Sequence, residues 1–313
     1  MDKQTLKIER TRALFEHLSI NGMKMQCLDS ENSLHDSLSS TNQVIIMMPA
    51  KAAGSTLKTF ARQCNKASGL TYEHADNFLN TKDNHFDGIL TNSFRMPPVI
   101  ASHINSPENV IYLMKNAPRS TLLIYVHRDE TSRIQSAINQ VVWAWCAGKR
   151  EPPKDFFSMQ EDNVCHTSEE NLVDIGIAQK QFEIGLGASE LLHCETYDSI
   201  VEHAPNILFV NYKHASDLQE LLSLKYCPGL YGEPFQTNVG SEKSAHTFVQ
   251  VANDISGGSE LVSLADWLEA KMSALEWALG LHEKATCRAK TRIMEDKLFG
   301  CASGFMKASV VEG

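Results

Sequence analysis

The chain has 313 residues, of which 42% are hydrophobic, enough to bury a sizeable core and a length that fits one large α/β domain. Its 29 basic and 38 acidic residues give a net charge of −9, which excludes a global attraction to nucleic acid or to an anionic membrane, so an anionic ligand needs a local constellation. There is no membrane-length apolar run and no N-x-S/T sequon, and the expectation is a soluble, cytoplasmic protein without nucleic-acid or membrane partners.

In chain order, Met1 to Asn21 mixes charged and apolar residues in the manner of a short helix and makes a poor secretory signal. Val44 to Met48, Val99 to Ala101, Leu122 to Val126 and Ile207 to Val210 read as buried strands, each followed by polar residues. Helical stretches between such strands imply parallel pairing, hence an α/β fold with a doubly wound parallel sheet and flanking helices, whose ligands sit at the carboxyl ends of the strands. The segments to inspect are therefore "PAKAAGST", "SHINSP", "HRDETS" and "NYKHAS". Residues 148–170 contain two prolines and no clear period, and read as an excursion or lid within a single domain spanning 1–313, or as a flexible linker. Residues 259–281 carry apolar side chains at helical spacing and predict one late amphipathic helix. The eight cysteines, at 27, 64, 146, 165, 194, 227, 287 and 301, show neither a C-x-x-C pair nor metal-like spacing with histidine, and read as reduced intracellular thiols.

The stretch "IIMMPAKAAGSTLKTF" joins a strand to a helix through small residues. Such a junction gathers backbone N–H groups and the positive end of a helix dipole at one point, which suits an anion and phosphate above all. Ala52, Ala53 and Gly54 let a ligand approach the backbone, Ser55 and Thr56 add hydroxyls, and Lys51 adds a full positive charge. The Walker A pattern does not fit, because this lysine precedes the glycine by three residues. A solvated lysine in an ordinary turn is the plainer alternative.

The second signal is "VHRDETSRIQSAINQVVWAW". From about Glu130 the positions Ile134, Ala137, Ile138, Val141, Val142 and Trp145 form one helical stripe, which places Ser136 and Trp143 on the opposite side. Arg128, at the strand end, and Ser136 could each reach one phosphate group. The alternatives are a surface ion pair of Arg128 with Asp129 or Glu130, and an ordinary surface serine. "HRD" is not a protein-kinase catalytic loop here, since Ile134 occupies the asparagine position and no D-F-G follows.

Together the two segments resemble the sulfotransferases that use 3′-phosphoadenosine 5′-phosphosulfate (PAPS). Lys51 to Leu57, "KAAGSTL", is similar to the family's 5′-phosphosulfate loop, in a form closer to the carbohydrate enzymes than to the cytosolic small-molecule enzymes. Arg128 and Ser136, as R-x7-S, are similar to its 3′-phosphate motif. The departures are Ala50, which separates proline from lysine, and the missing R-K-G-x-x-G segment, for which "NVGSEKS" with Lys243 is a candidate replacement. The resemblance implies a P-loop-like sheet, PAPS as donor with 3′-phosphoadenosine 5′-phosphate (PAP) as product, no metal, and transfer to a hydroxyl or amine of a small-molecule or glycan acceptor. Lys51 would act on the transferring group. It also implies a histidine base past the middle strand, for which "VIASHINSP" offers His103. His74 is the second candidate, and Trp143 would line the cofactor or acceptor channel. The competing functions are a nucleotide kinase-like enzyme with a variant phosphate loop, and a non-catalytic nucleotide-binding protein.

Overall fold

The computed structural model describes residues 23–28, 36–49, 51–67, 98–103, 120–146, 158–159, 164–174, 206–232, 248–255, 258–278 and 296–310. Their contacts gather into two compact units, one drawn from 1–128, 186–235 and 286–313, the other from 129–185 and 236–285.

In the first unit the four apolar runs form the parallel strands β2 (Gln43–Met48), β3 (Val99–His103), β4 (Thr121–His127) and β7 (Asn206–Asn211). Two further strands, β1 (Met23–Cys27) and β10 (Phe305–Val310), complete a six-stranded sheet in the order β1-β10-β7-β4-β2-β3. β10 runs antiparallel to both of its neighbours, so the wholly parallel sheet expected from the sequence is corrected to a mixed, mostly parallel one. Both faces are apolar: Val44, Ile46, Leu122, Ile124 and Leu208 are buried on one side, and Ile45, Met47, Leu123, Tyr125 and Phe209 on the alternate positions. Helix α1 (Gly54–Ala67) follows β2, and α3 (Ala215–Tyr226) follows β7 after a 3₁₀ turn, Tyr212–His214. Leu57, Phe60, Ala61 and Cys64 of α1 share one core cluster with Ala215, Leu218 and Leu222 of α3.

The second unit holds α2 (Glu130–Cys146), a four-stranded sheet β5 (Ser158–Met159), β6 (Val164–Ser168), β8 (Phe248–Ile255) and β9 (Gly258–Ser263), and α4 (Leu264–Ala278). Its core joins Ile138 and Val142 of α2 to Val249 and Val251 of β8 and to Trp267 and Leu268 of α4. Residues 148–170, expected as an excursion or lid, contribute β5 and β6 to this sheet. The late helix expected over 259–281 begins only after Ser263, whose hydroxyl accepts the Asp266 amide at 3.2 Å and caps the helix, while the preceding residues pair as β9.

The expectation of reduced thiols is overturned for six of the eight cysteines, while Cys194 and Cys287 lie outside the described residues. Cys27–Cys301, Cys64–Cys227 and Cys146–Cys165 are disulfides, and among the described residues no cysteine is free. Local spacing could not reveal them, because the bonded residues stand 274, 163 and 19 positions apart and meet only through the fold. The sequence argument for a cytoplasmic location loses its premise, since such bonds form and persist in oxidising compartments. Among the described residues no helix is long and apolar enough to cross a membrane.

Candidate functional site

β2 lies between β3 and β4, with Met48 opposite His103 and Met47 opposite Tyr125, so the segments that leave β2 and β4 emerge side by side. After β2 the Ala52 amide donates to the Pro49 carbonyl at 3.3 Å. Lys51 (φ 70°) and Ala53 (φ 59°) then take left-handed backbone conformations, which cost a residue with a Cβ roughly 1–2 kcal/mol each. The first helical bond runs from Leu57 N–H to the Ala53 carbonyl at 3.1 Å, so Ala53 is the N-cap and the amides of Gly54 and Ser55 precede the hydrogen-bonded ladder. No acidic residue stands in the first turn of α1, and Lys66 stands in its last. The positive end of this helix is thus left uncompensated by its own side chains.

Ala52, Gly54 and Leu57 are buried, Lys51, Ala53 and Thr56 half-buried, and Ser55 exposed, so the loop is seated on the core with one edge open to solvent. The far end of α1 is tied down by Asn65, whose side-chain amide donates to the Val99 carbonyl at 2.9 Å.

Arg128 follows the buried His127 at the end of β4. Its Nη1 donates to the Lys51 carbonyl at 2.9 Å, and its Cζ lies 4.6 Å from the centroid of the Tyr212 ring. The two sequence signals, 77 residues apart, are thereby joined by a direct bond. Beside Arg128, the Asp129 carboxylate accepts the Ser132 amide at 2.8 Å and the Ser132 hydroxyl at 2.5 Å, capping α2.

The other sequence-predicted residues are distributed as follows. His103 is the last residue of β3, and only its backbone is described. Ser136 is half-exposed on α2 in the second unit, and Trp143 stands on the same helix with only its backbone described. His74 and Lys243 lie outside the described residues.

Two features were missed in the sequence. Tyr212 enters directly after β7, where Asn211 holds the turn by accepting the Lys213 amide at 3.1 Å. His214 Nδ1 lies 2.6 Å from Asp217 Oδ2, and its ring packs over Gly304 and against Phe305, 6.2 Å between centroids. A carboxylate-held imidazole at the ligand-binding edge of a sheet is suited to proton transfer. The signal for both was "NYKHASD", an aromatic and a histidine immediately after a strand with an acid one helical turn on.

Among the described residues no group of three or more His, Cys, Asp or Glu side chains is arranged to hold a metal ion. Comparison with protein-family models, with curated proteins and with solved structures finds no match to this chain.

Proposed function

We propose that this protein is a PAPS-dependent sulfotransferase on a P-loop-like, doubly wound α/β scaffold. The observation that carries the reading is the Arg128 bond to the Lys51 carbonyl, which joins the lysine loop to the first residue of the R-x7-S pattern at the carboxyl edge of adjacent parallel strands. The small residues Ala52, Ala53 and Gly54 and the first-turn amides of α1 fit the 5′-phosphosulfate group, and the uncompensated helix end suits its charge. The donor, as substrate, supplies the sulfuryl group. Lys51 and the amides of Gly54 and Ser55 stabilise the negative charge that develops on the bridging oxygen. Arg128 holds the loop in place and serves the 3′-phosphate; Ser136 is carried by the sequence spacing alone. His103 takes the proton of the acceptor hydroxyl; His214, already oriented by Asp217, is the second candidate for that step. The acceptor is a small-molecule or glycan hydroxyl.

The test is ligand-induced stabilisation followed by transfer. At about 100 times its dissociation constant PAP should add about 2.7 kcal/mol, a melting shift on the order of 5 °C, and chelator should leave that shift unchanged. A larger shift with ATP and magnesium would replace this reading with the kinase-like one. A PAP shift without transfer of labelled sulfate to a broad hydroxyl panel would leave only a binding protein, and no shift with either nucleotide would sink the loop as an anion site.

A further inference from the structure

Helices α1 and α3 start at the same edge of the sheet, α1 behind the Lys51 loop and α3 behind Tyr212. They then run back over one face of the sheet, where their apolar stripes belong to a single core cluster. At the far end of that face Cys64 of α1 is bonded to Cys227, the C-cap of α3, with their Cα atoms 5.3 Å apart. At the near end Arg128 reaches the Lys51 carbonyl and stacks on Tyr212. The two elements that present the cradle are therefore connected twice, covalently at the base and by one guanidinium at the mouth.

The base is anchored further. The Tyr226 hydroxyl is 2.7 Å from the Thr41 hydroxyl, and Lys225 Nζ donates to the Leu38 and Ser39 carbonyls. Burial pushes the Tyr226 phenol above its ordinary pKa, against a smaller downward pull from the Thr41 bond, so it stays neutral and keeps its hydrogen bonds through the physiological range. Thr41 leads directly into β2, the strand that delivers the lysine loop.

A helix of 14 residues behaves as a short rod, so a slide at Cys64 reappears at Gly54. The loop before that helix holds two left-handed residues, a state that persists only where the surroundings over-determine it. Loss of the crosslink at the base relaxes that constraint.

We propose that the Cys64–Cys227 disulfide is a positioning element of the anion cradle, and that the cradle acquires its full affinity only once this bond has formed. The inference rests on the reading of the Lys51 loop as an anion site. Bond formation converts the two thiols to one disulfide, and the two electrons and two protons released reduce a partner disulfide of the thiol-exchange class to two thiols. Cys64 is fully buried and Cys227 is 3% exposed, so the bond is made during folding and then held, not cycled in the folded state.

Cys27–Cys301 is the internal control, for it joins β1 to the turn before β10, neither of which presents a cradle residue. PAP and inorganic pyrophosphate are titrated calorimetrically into wild type, Cys64→Ala/Cys227→Ala and Cys27→Ala/Cys301→Ala, well below each melting point. Both double variants should melt earlier. Only the first should bind more weakly, by about tenfold, equivalent to about 1.4 kcal/mol. Cys64→Val/Cys227→Ala, which restores lost side-chain volume, replaces it if the double alanine does not fold, and the same loss is expected. Unchanged affinity in a folded variant lacking the bond overturns the proposal, as does an equal loss in the Cys27/Cys301 control. Wild type that binds neither probe removes the anion-site reading itself and the proposal with it.

Discussion

Lys51 adopts a backbone conformation that lysine rarely takes, and the carbonyl of that same residue is the one Arg128 holds. The left-handed φ costs roughly 1–2 kcal/mol, and a hydrogen bond to a charged group contributes roughly 1.5–3 kcal/mol, so the arginine is sufficient to offset the strain. Its position also sets where the lysine side chain begins. Arg128→Ala should therefore weaken adenosine 5′-phosphate as well as PAP, with PAP losing more, roughly 1.5–3 kcal/mol. If affinity for the 5′-nucleotide is untouched, Arg128 serves the 3′-phosphate alone and the bond to the loop is incidental. By contrast His103→Ala should leave PAP binding intact while lowering transfer by roughly 10²–10⁴-fold. Retained transfer in that variant, with loss in His214→Ala, would move the base to the Asp217-held imidazole.

At the level of elements, the turn into β10 shows how closely the sheet edge is fitted. Gly304 has φ +74°, and a Cβ placed there would lie 2.0 Å from His214 Cδ2, so both the backbone and the overlying, partly exposed imidazole favour glycine. The same residue accepts the Asn211 amide at 2.9 Å and thus aligns the end of β7. Gly304→Ala should cost roughly 2–5 kcal/mol, the sum of left-handed strain and overpacking, read by denaturant unfolding; a loss under 1 kcal/mol would mean that the turn repacks freely. The central parallel strands were legible in the sequence because "VIIMM" and "LLIYV" are buried on both faces and read as unbroken apolar runs. β1 ("MKMQC") and β10 ("FMKASV") were not, being short, polar-interrupted and recognisable only through each other. Likewise "GSELVS" reads as a continuation of the helix that Ser263 caps, since a strand of that length has too few residues for its period to outvote the neighbouring helical stripe. For the site, residue type and spacing located Lys51 and Arg128 correctly at strand ends, whereas the bond between them depends on β2 and β4 being neighbours, which no local pattern encodes.

At the scale of the whole molecule, each disulfide among the described residues lies within one compact unit, two in the first and one in the second. With Cys64–Cys227 closed, the loop sealed by Cys27–Cys301 shortens from 274 to about 274 − 163 = 111 positions, still far longer than the 19 spanned by Cys146–Cys165. Chain entropy then makes removal of Cys27–Cys301 costlier than removal of Cys146–Cys165 by about 1.5 kcal/mol, a further melting decrease of roughly 2–3 °C by calorimetry. Equal losses would place the stabilisation in local contacts and not in the unfolded chain. The pairing of β1 with β10 also bears on how the polypeptide is made. β1 emerges from the ribosome before the other described strands of its sheet, yet its register partner for Met23 is Val310, so during translation of the intervening chain it lacks the β10 ladder that it joins in the fold. The parallel core β3-β2-β4-β7 becomes complete first, with β7 as a temporary edge open to any extended segment nearby. Holding β1 and β7 apart from foreign strands until β10 slots between them is the task this topology sets for the chaperones of whichever compartment the nascent chain enters.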